Sequence, residues 1–186
     1  DYDVIIIGAG PAGLTAGIYA LRMGLKTLVL EGKFPGGRIV EAHLVENYPG
    51  FPDAPRGYEL ATRMIAQFEK LGGKINQNEE AATLSLNGKK RVVMTRKGEY
   101  TAKAVVIAVG VQRKRLFIPG EKEFLGKGVS YCATCDGPLF KGKRVVVVGS
   151  GNEALEEALF LSDLASRVFL VPNAVNLVAA ESLIKK

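Results

Sequence analysis

The sequence predicts an α/β protein built from two Rossmann-like units, the first carrying a three-stranded antiparallel meander. Three observations predict it. A short β-branched run, Asp3-Val4-Ile5-Ile6-Ile7, leads into the turn Gly8-Ala9-Gly10-Pro11-Ala12-Gly13. The same succession begins again with Lys143-Arg144-Val145-Val146-Val147-Val148 and Gly149-Ser150-Gly151-Asn152-Glu153-Ala154. Between the two lies Cys132-Ala133-Thr134-Cys135-Asp136, which holds the only two cysteines of the 186 residues.

The fully apolar first strand implies the centre of a parallel sheet, buried on both faces. Leu14, Ile18 and Leu21 then recur at helical spacing, Pro11 is placed to open that helix, and Gly24 is placed to close it. Glycines at 8, 10 and 13 permit a tight turn and let a pyrophosphate approach the helix N-terminus, where N–H groups and the dipole favour negative charge. A second strand, residues 26–30, ends at Glu31, about 20 residues beyond the first glycine, where an acid bonds the ribose hydroxyls of an adenosine half. That pattern implies dinucleotide binding. Glu31 alone does not separate FAD from NAD.

Gly36-Gly37-Arg38 and Val45-Glu46-Asn47-Tyr48-Pro49-Gly50 have no strong periodicity; paired glycines permit close backbone approach to a ligand, or simply form a surface loop. From Tyr58, the residues Leu60, Met64, Phe68 and Leu71 mark an amphipathic helix closed by Gly72-Gly73. Residues 82–86, 91–95 and 100–102 read as the meander, with Asn87-Gly88 and Lys97-Gly98 as turns. The apolar run 104–109, ending at Gly110, returns the chain to the parallel sheet. Pro119-Gly120 and its charged surroundings read as a passage between domains. The second unit has barely two strands, the latter Arg167 to Val171, with Leu155, Leu159 and Leu161 on the helix between.

With 47% hydrophobic side chains the chain can bury one good core or two small ones, which excludes disorder. No apolar run approaches the roughly 18 residues of a membrane span, and the chain opens in a strand pattern rather than a signal peptide, so a soluble, cytoplasmic protein with no membrane partner is expected. The net charge of +6 is scattered among 19 acidic residues without an aromatic-interleaved patch, so it reads as solvated surface and not as a nucleic-acid site. The dense run Arg113-Lys114-Arg115 reads as exposed loop.

Two thiols at C-x-x-C spacing suggest a redox-active pair; a buried structural pair and half of a zinc site are the other readings. Zinc needs four ligands, and the chain adds only His43, so no metal is expected.

Together these residues resemble the low-molecular-weight thioredoxin reductase family of flavoproteins. The likeness rests on both glycine fingerprints, Gly36-Gly37-Arg38, Glu46-Asn47-Tyr48-Pro49-Gly50, Ala108-Val109-Gly110 and the cysteine motif with Gly137 behind it. The resemblance implies a homodimer whose subunits each have an FAD domain split by an inserted pyridine-nucleotide domain: here residues 1–112 and 113–186, both incomplete. It places FAD on Gly8, Gly10, Pro11, Ala12 and Gly13, with Glu31 at the ribose, and puts Gly36, Gly37, Arg38, Asn47 and Gly110 near the cofactor. Gly149, Gly151, Asn152, Glu153 and Ala154 form the second nucleotide site. Electrons are implied to pass from a hydride donor through FAD and the Cys132–Cys135 disulfide to a thioredoxin or glutaredoxin-like protein. Cys135 would stand closest to the flavin, and Asp136 would donate and accept protons or else cap a helix. Residues 110–116 are the implied hinge.

Two departures qualify this. NADPH-using members carry a histidine and arginines just beyond the strand that ends here at Val171; this chain has Pro172-Asn173-Ala174-Val175-Asn176 and no cation before Lys185. NADPH is disfavoured, since a 2′-phosphate needs arginine or equivalent charge, which leaves NADH or the reduced deazaflavin used by relatives in methanogenic archaea. The family's chains also continue well beyond Lys186, so an N-terminal portion is expected. A non-catalytic FAD-binding module, or a reductase of another redoxin such as a peroxiredoxin, is the alternative.

Overall fold

A computed structural model of the chain describes residues 1–112 and 114–186; Arg113, in the basic run and the expected hinge, lies outside the described residues. Two compact units divide between residues 112 and 113.

In the first unit, β1 (Tyr2–Ile7), α1 (Pro11–Arg22) and β2 (Thr27–Leu30) are followed by α2 (Gly57–Lys70), β3 (Lys74–Asn76), β4 (Ala81–Ser85), β5 (Arg91–Thr95) and β6 (Glu99–Ile107). They build one six-stranded sheet in the order β3-β2-β1-β6-β5-β4. β1 pairs in parallel with β2 on one side and β6 on the other, which is why its side chains are apolar on both faces. Consecutive residues point to opposite faces. Ile6 joins Leu14, Ile18, Val29 and Phe68 under the helices, while Ile5 joins Leu28, Leu30, Val93 and Ala102 on the other side.

Phe68 of α2 is fully buried, and two glycines make room for it: a Cβ on Gly17 or Gly73 would lie 2.5 or 2.3 Å from its ring. The start of α2 is fixed by Glu59, whose Oε2 accepts the Arg56 N–H at 3.1 Å.

The third meander strand and the returning apolar run, expected as two strands at 100–102 and 104–109, form the single strand β6. It pairs antiparallel with β5 through Glu99–Ala102 and parallel with β1 through Ala102–Ile107. Lys103, which separates the two runs in sequence, does not break the strand, because its ammonium lies 2.7 Å from the Asp3 carboxylate. β3 carries no periodicity that announces it; pairing with β2 holds it in place.

In the second unit, α3 (Glu121–Phe124) and α4 (Ala133–Asp136) precede β7 (Arg144–Val148), α5 (Asn152–Ser162), β8 (Arg167–Val171) and α6 (Glu181–Ile184). β7 and β8 pair in parallel over their full length. Ala133, Val147, Ala154 and Leu161 form the core between them and α5. Pro119-Gly120 falls inside this unit rather than between the two, with Gly120 left-handed (φ 84°) at the start of α3. Among the described residues no helix is long and apolar enough to cross a membrane.

Candidate redox-active disulfide and glycine turns

Cys132 is extended (φ −140°, ψ 96°) and stands immediately before the one-turn helix α4, so that the chain doubles back and joins its Sγ to that of Cys135 as a disulfide. Ala133 is buried against the second core, and a Cβ on Gly137 would press on Phe160 and Leu161 of α5 at 3.0 and 3.1 Å, so small residues seat the cysteine turn on that helix. Cys135 is exposed and Cys132 half-buried. The Cys132 Sγ accepts the Cys135 N–H at 3.2 Å and lies 3.4 Å from Thr134 Oγ1. Asp136 makes no side-chain capping bond to the 3₁₀ turn that follows. Its Oδ2 instead accepts the hydroxyl of Ser130 at 2.5 Å, and the same hydroxyl oxygen accepts the Cys132 N–H at 3.0 Å.

The first glycine turn lies at the carboxyl ends of β1 and β2. A Cβ on Gly13 would stand 1.9 Å from the Gly8 carbonyl oxygen, so the first turn of α1 can press this closely on β1 only as glycine. Gly10 precedes α1 without a side-chain cap, Pro11 opens the helix, and its first turn holds no acid. Glu31 sits beside the turn: its Oε2 accepts the Ala9 N–H at 2.8 Å and its Oε1 the Lys33 N–H at 2.9 Å. The Gly36 N–H donates to the Ala9 carbonyl at 2.8 Å, and a Cβ on Gly37, which is left-handed (φ 66°), would come within 2.8 Å of the Gly10 Cα. Gly8, Gly10, Pro11, Ala12, Gly13, Glu31, Gly36 and Gly37 are thus gathered at one end of the sheet, with Arg38 exposed on the following 3₁₀ turn. Gly110 follows the carboxyl end of β6, at the same sheet end as the turn, and Asn47 is exposed on the loop before α2.

The second turn differs. Its Ser150 is buried, and the Ser150 hydroxyl oxygen accepts the N–H groups of Asn173 and Ala174 at 2.9 and 3.0 Å while donating to Asn173 Oδ1 at 2.9 Å. The Val178 N–H donates to the Ser150 carbonyl at 2.7 Å, and the Ala180 N–H to Asn152 Oδ1 at 2.7 Å. Residues 173–180 are therefore tied along the second turn, in the stretch where a 2′-phosphate would need cations. Glu153 adds an acid to the first turn of α5, where α1 has none.

Neither Ser130 nor Ser150 was singled out by sequence reasoning. Ser150 occupies the variable position of its glycine fingerprint, and Ser130 stands two residues before the cysteine motif; no periodicity marks either.

A model of the pyridine nucleotide-disulphide oxidoreductase family matches residues 2–184. The chain belongs to this family. Within it, the chain is 45% identical over 186 residues to a thioredoxin reductase of Treponema pallidum, covering all of this chain and 60% of that one. It is 47% identical over 171 residues to a thioredoxin reductase of Bacillus subtilis, covering 91% of this chain and 53% of the relative. The crystal structure of a thioredoxin reductase from Lactococcus lactis superposes with a TM-score of 0.95 at 38% identity, again over all of this chain and 60% of the other. The chain thus spans little more than half the length of these family members.

Proposed function

We propose that the protein is a flavoprotein disulfide reductase of thioredoxin reductase type, in which the Cys132–Cys135 disulfide relays electrons to the disulfide of a thioredoxin or glutaredoxin-like protein. The observation that carries the reading is that disulfide, formed across one helical turn in a chain of this family with no other cysteine.

The first glycine turn fits FAD. Its helix presents N–H groups with no side-chain cap and no acid in the first turn, its glycines leave no Cβ between backbone and ligand, and Glu31 stands at the end of β2 for the ribose. Gly8, Gly10, Pro11, Ala12 and Gly13 would hold the pyrophosphate, with Gly36, Gly37, Arg38, Asn47 and Gly110 toward the rest of the cofactor. FAD, when bound, supplies the electron pair that reduces the disulfide.

Once the pair is reduced, the Cys132 sulfur, which accepts the Cys135 N–H at 3.2 Å, is the attacking atom, reacting as its thiolate. It bonds to one sulfur of the partner disulfide and expels the other as a thiolate, which takes a proton; Asp136 is the carboxyl placed in the cysteine turn to give it. Cys135 then attacks Cys132 Sγ, restoring the disulfide and releasing the second partner thiol.

The second turn, Gly149, Gly151, Asn152, Glu153 and Ala154, is the candidate nicotinamide-nucleotide site. Its neutral Asn173, its first-turn Glu153 and the tied segment 173–180 speak against NADPH. NADH or a reduced deazaflavin is the donor this reading favours, in a cytoplasmic homodimer.

The test loads the chain with FAD and follows reduction of a thioredoxin disulfide by dithionite-reduced protein. Turnover that is lost in Cys132→Ser and Cys135→Ser while flavin is retained supports the reading; turnover surviving in both variants refutes it.

A further inference from the structure

The carboxyl that directly follows the second cysteine, Asp136, is tied into the turn by a residue outside the cysteine motif. Ser130 has one hydroxyl proton and two acceptors within reach, Asp136 Oδ2 at 2.5 Å and the Cys132 carbonyl at 3.2 Å; the nearer oxygen takes it. A lone pair of the same oxygen accepts the Cys132 N–H at 3.0 Å. The single hydroxyl therefore links the backbone of the first cysteine to the carboxylate that follows the second. A further bond, from the Cys135 N–H to Cys132 Sγ at 3.2 Å, closes the turn between the two cysteines.

We propose that Ser130 is a positioning residue for disulfide exchange, holding the Asp136 carboxyl where it serves the sulfur leaving or entering the Cys132–Cys135 pair. The proposal rests on the functional reading above only in giving Asp136 a proton-transfer role. Without the hydroxyl, the carboxylate has no tether to the Cys132 backbone and samples other rotamers, so proton delivery to the leaving thiolate slows while the cysteines themselves remain. Other charged groups lie around the turn. From α5, Glu157 Oε1 stands 3.5 Å from the Ala133 N–H. On the segment leading to Ser130, Tyr131 donates to Glu121. Neither reaches Asp136 through Ser130, so they form a background common to every variant below.

The test is a double-mutant cycle on exchange between the pre-reduced cysteine pair and bis(2-hydroxyethyl) disulfide, whose alkyl thiolate leaving group takes up a proton, read by quenched flow, which requires neither flavin nor partner. Ser130→Ala is expected to slow exchange about tenfold, the low end of what a positioned acid or base contributes. Ser130→Thr, which keeps the hydroxyl, is expected to restore the rate. In the Asp136→Asn background, Ser130→Ala is expected to cost nothing further, because a residue acting through another is non-additive with it. An equal slowing in both backgrounds, or no rescue by threonine, overturns the proposal and assigns Ser130 a structural part only. Circular dichroism confirms folding; should Ser130→Ala unfold, Ser130→Gly and Ser130→Thr carry the same comparison. Failure of the functional reading shows separately, as absent flavin-coupled turnover with the exchange cycle intact.

Discussion

Ser150 and Asn173 hold each other by two hydrogen bonds, hydroxyl to Oδ1 and N–H to hydroxyl, each 2.9 Å. In the first unit the residue after the second strand is a carboxylate, Glu31, which accepts the N–H of Ala9 in the first glycine turn; in the second unit that place is Pro172, and Asn173 follows it. The two glycine turns thus differ: an acid bonds the first, and a serine–asparagine pair bonds the second.

NADPH is expected to bind poorly for that reason. Charge-assisted contacts to the 2′-phosphate are worth about 1.5–3 kcal/mol each, and no arginine or lysine lies between Val171 and Lys185 to make them. Calorimetric titration should give a dissociation constant for NADPH no tighter than that for NADH. A preference for NADPH of tenfold or more contradicts the assignment.

Ser150→Ala should release the tied segment. The hydroxyl serves three hydrogen bonds in a buried position, and leaving such groups unpaired costs about 1–3 kcal/mol. Hydrogen exchange at the Asn173 and Ala174 amides is expected to accelerate at least tenfold, with exchange in β1 unchanged.

Much of this was legible in the sequence, and the reasons are local. The β-branched β1 run suits a buried strand and Pro11 the first turn of a helix, so the first turn could be placed from residues alone; why position 13 must be glycine shows only in the contact with the Gly8 oxygen. β6 could not be bounded, because Lys103 reads as an interruption until Asp3 is seen across the strand pair. β3 depends on pairing with β2 rather than on its own three residues. The cysteine pair was evident from composition, but the Ser130 tether and the Ser150 latch are single hydroxyls whose partners lie in the fold, and no spacing rule reports them.

Gly13→Ala tests the first turn. The added Cβ would stand 1.9 Å from the Gly8 oxygen, and forced overpacking of this kind costs on the order of 1–3 kcal/mol. Thermal unfolding should shift down and FAD retention should fall. Phe68→Ala, which empties the site framed by Gly17 and Gly73, is expected to cost about 3–5 kcal/mol by denaturant titration.

Glu79 gives the fold an acid-sensitive point. Burial raises its carboxyl, but hydrogen bonds from Tyr100, Thr95 and Asn76, with the charge of Lys97, outweigh burial and hold it below the usual carboxylate range. A carboxyl depressed in the folded state contributes stability that is present above its unfolded value and is lost as pH falls through the folded one. Stability should therefore decline as pH drops below about 4.5, and Glu79→Gln should be less stable at neutral pH with a flatter acid limb. An acid limb of unchanged steepness in that variant rules out this role.

The relay itself is tested most directly by counting electrons. FAD-loaded protein is titrated anaerobically with dithionite while the flavin absorbance is followed. A flavin coupled to one disulfide takes up about four electrons per chain, and Cys135→Ser should take up about two, since a flavin and a disulfide are each two-electron couples. An uptake of about two electrons in both proteins would contradict the account, because the disulfide would then stand outside the flavin's electron path.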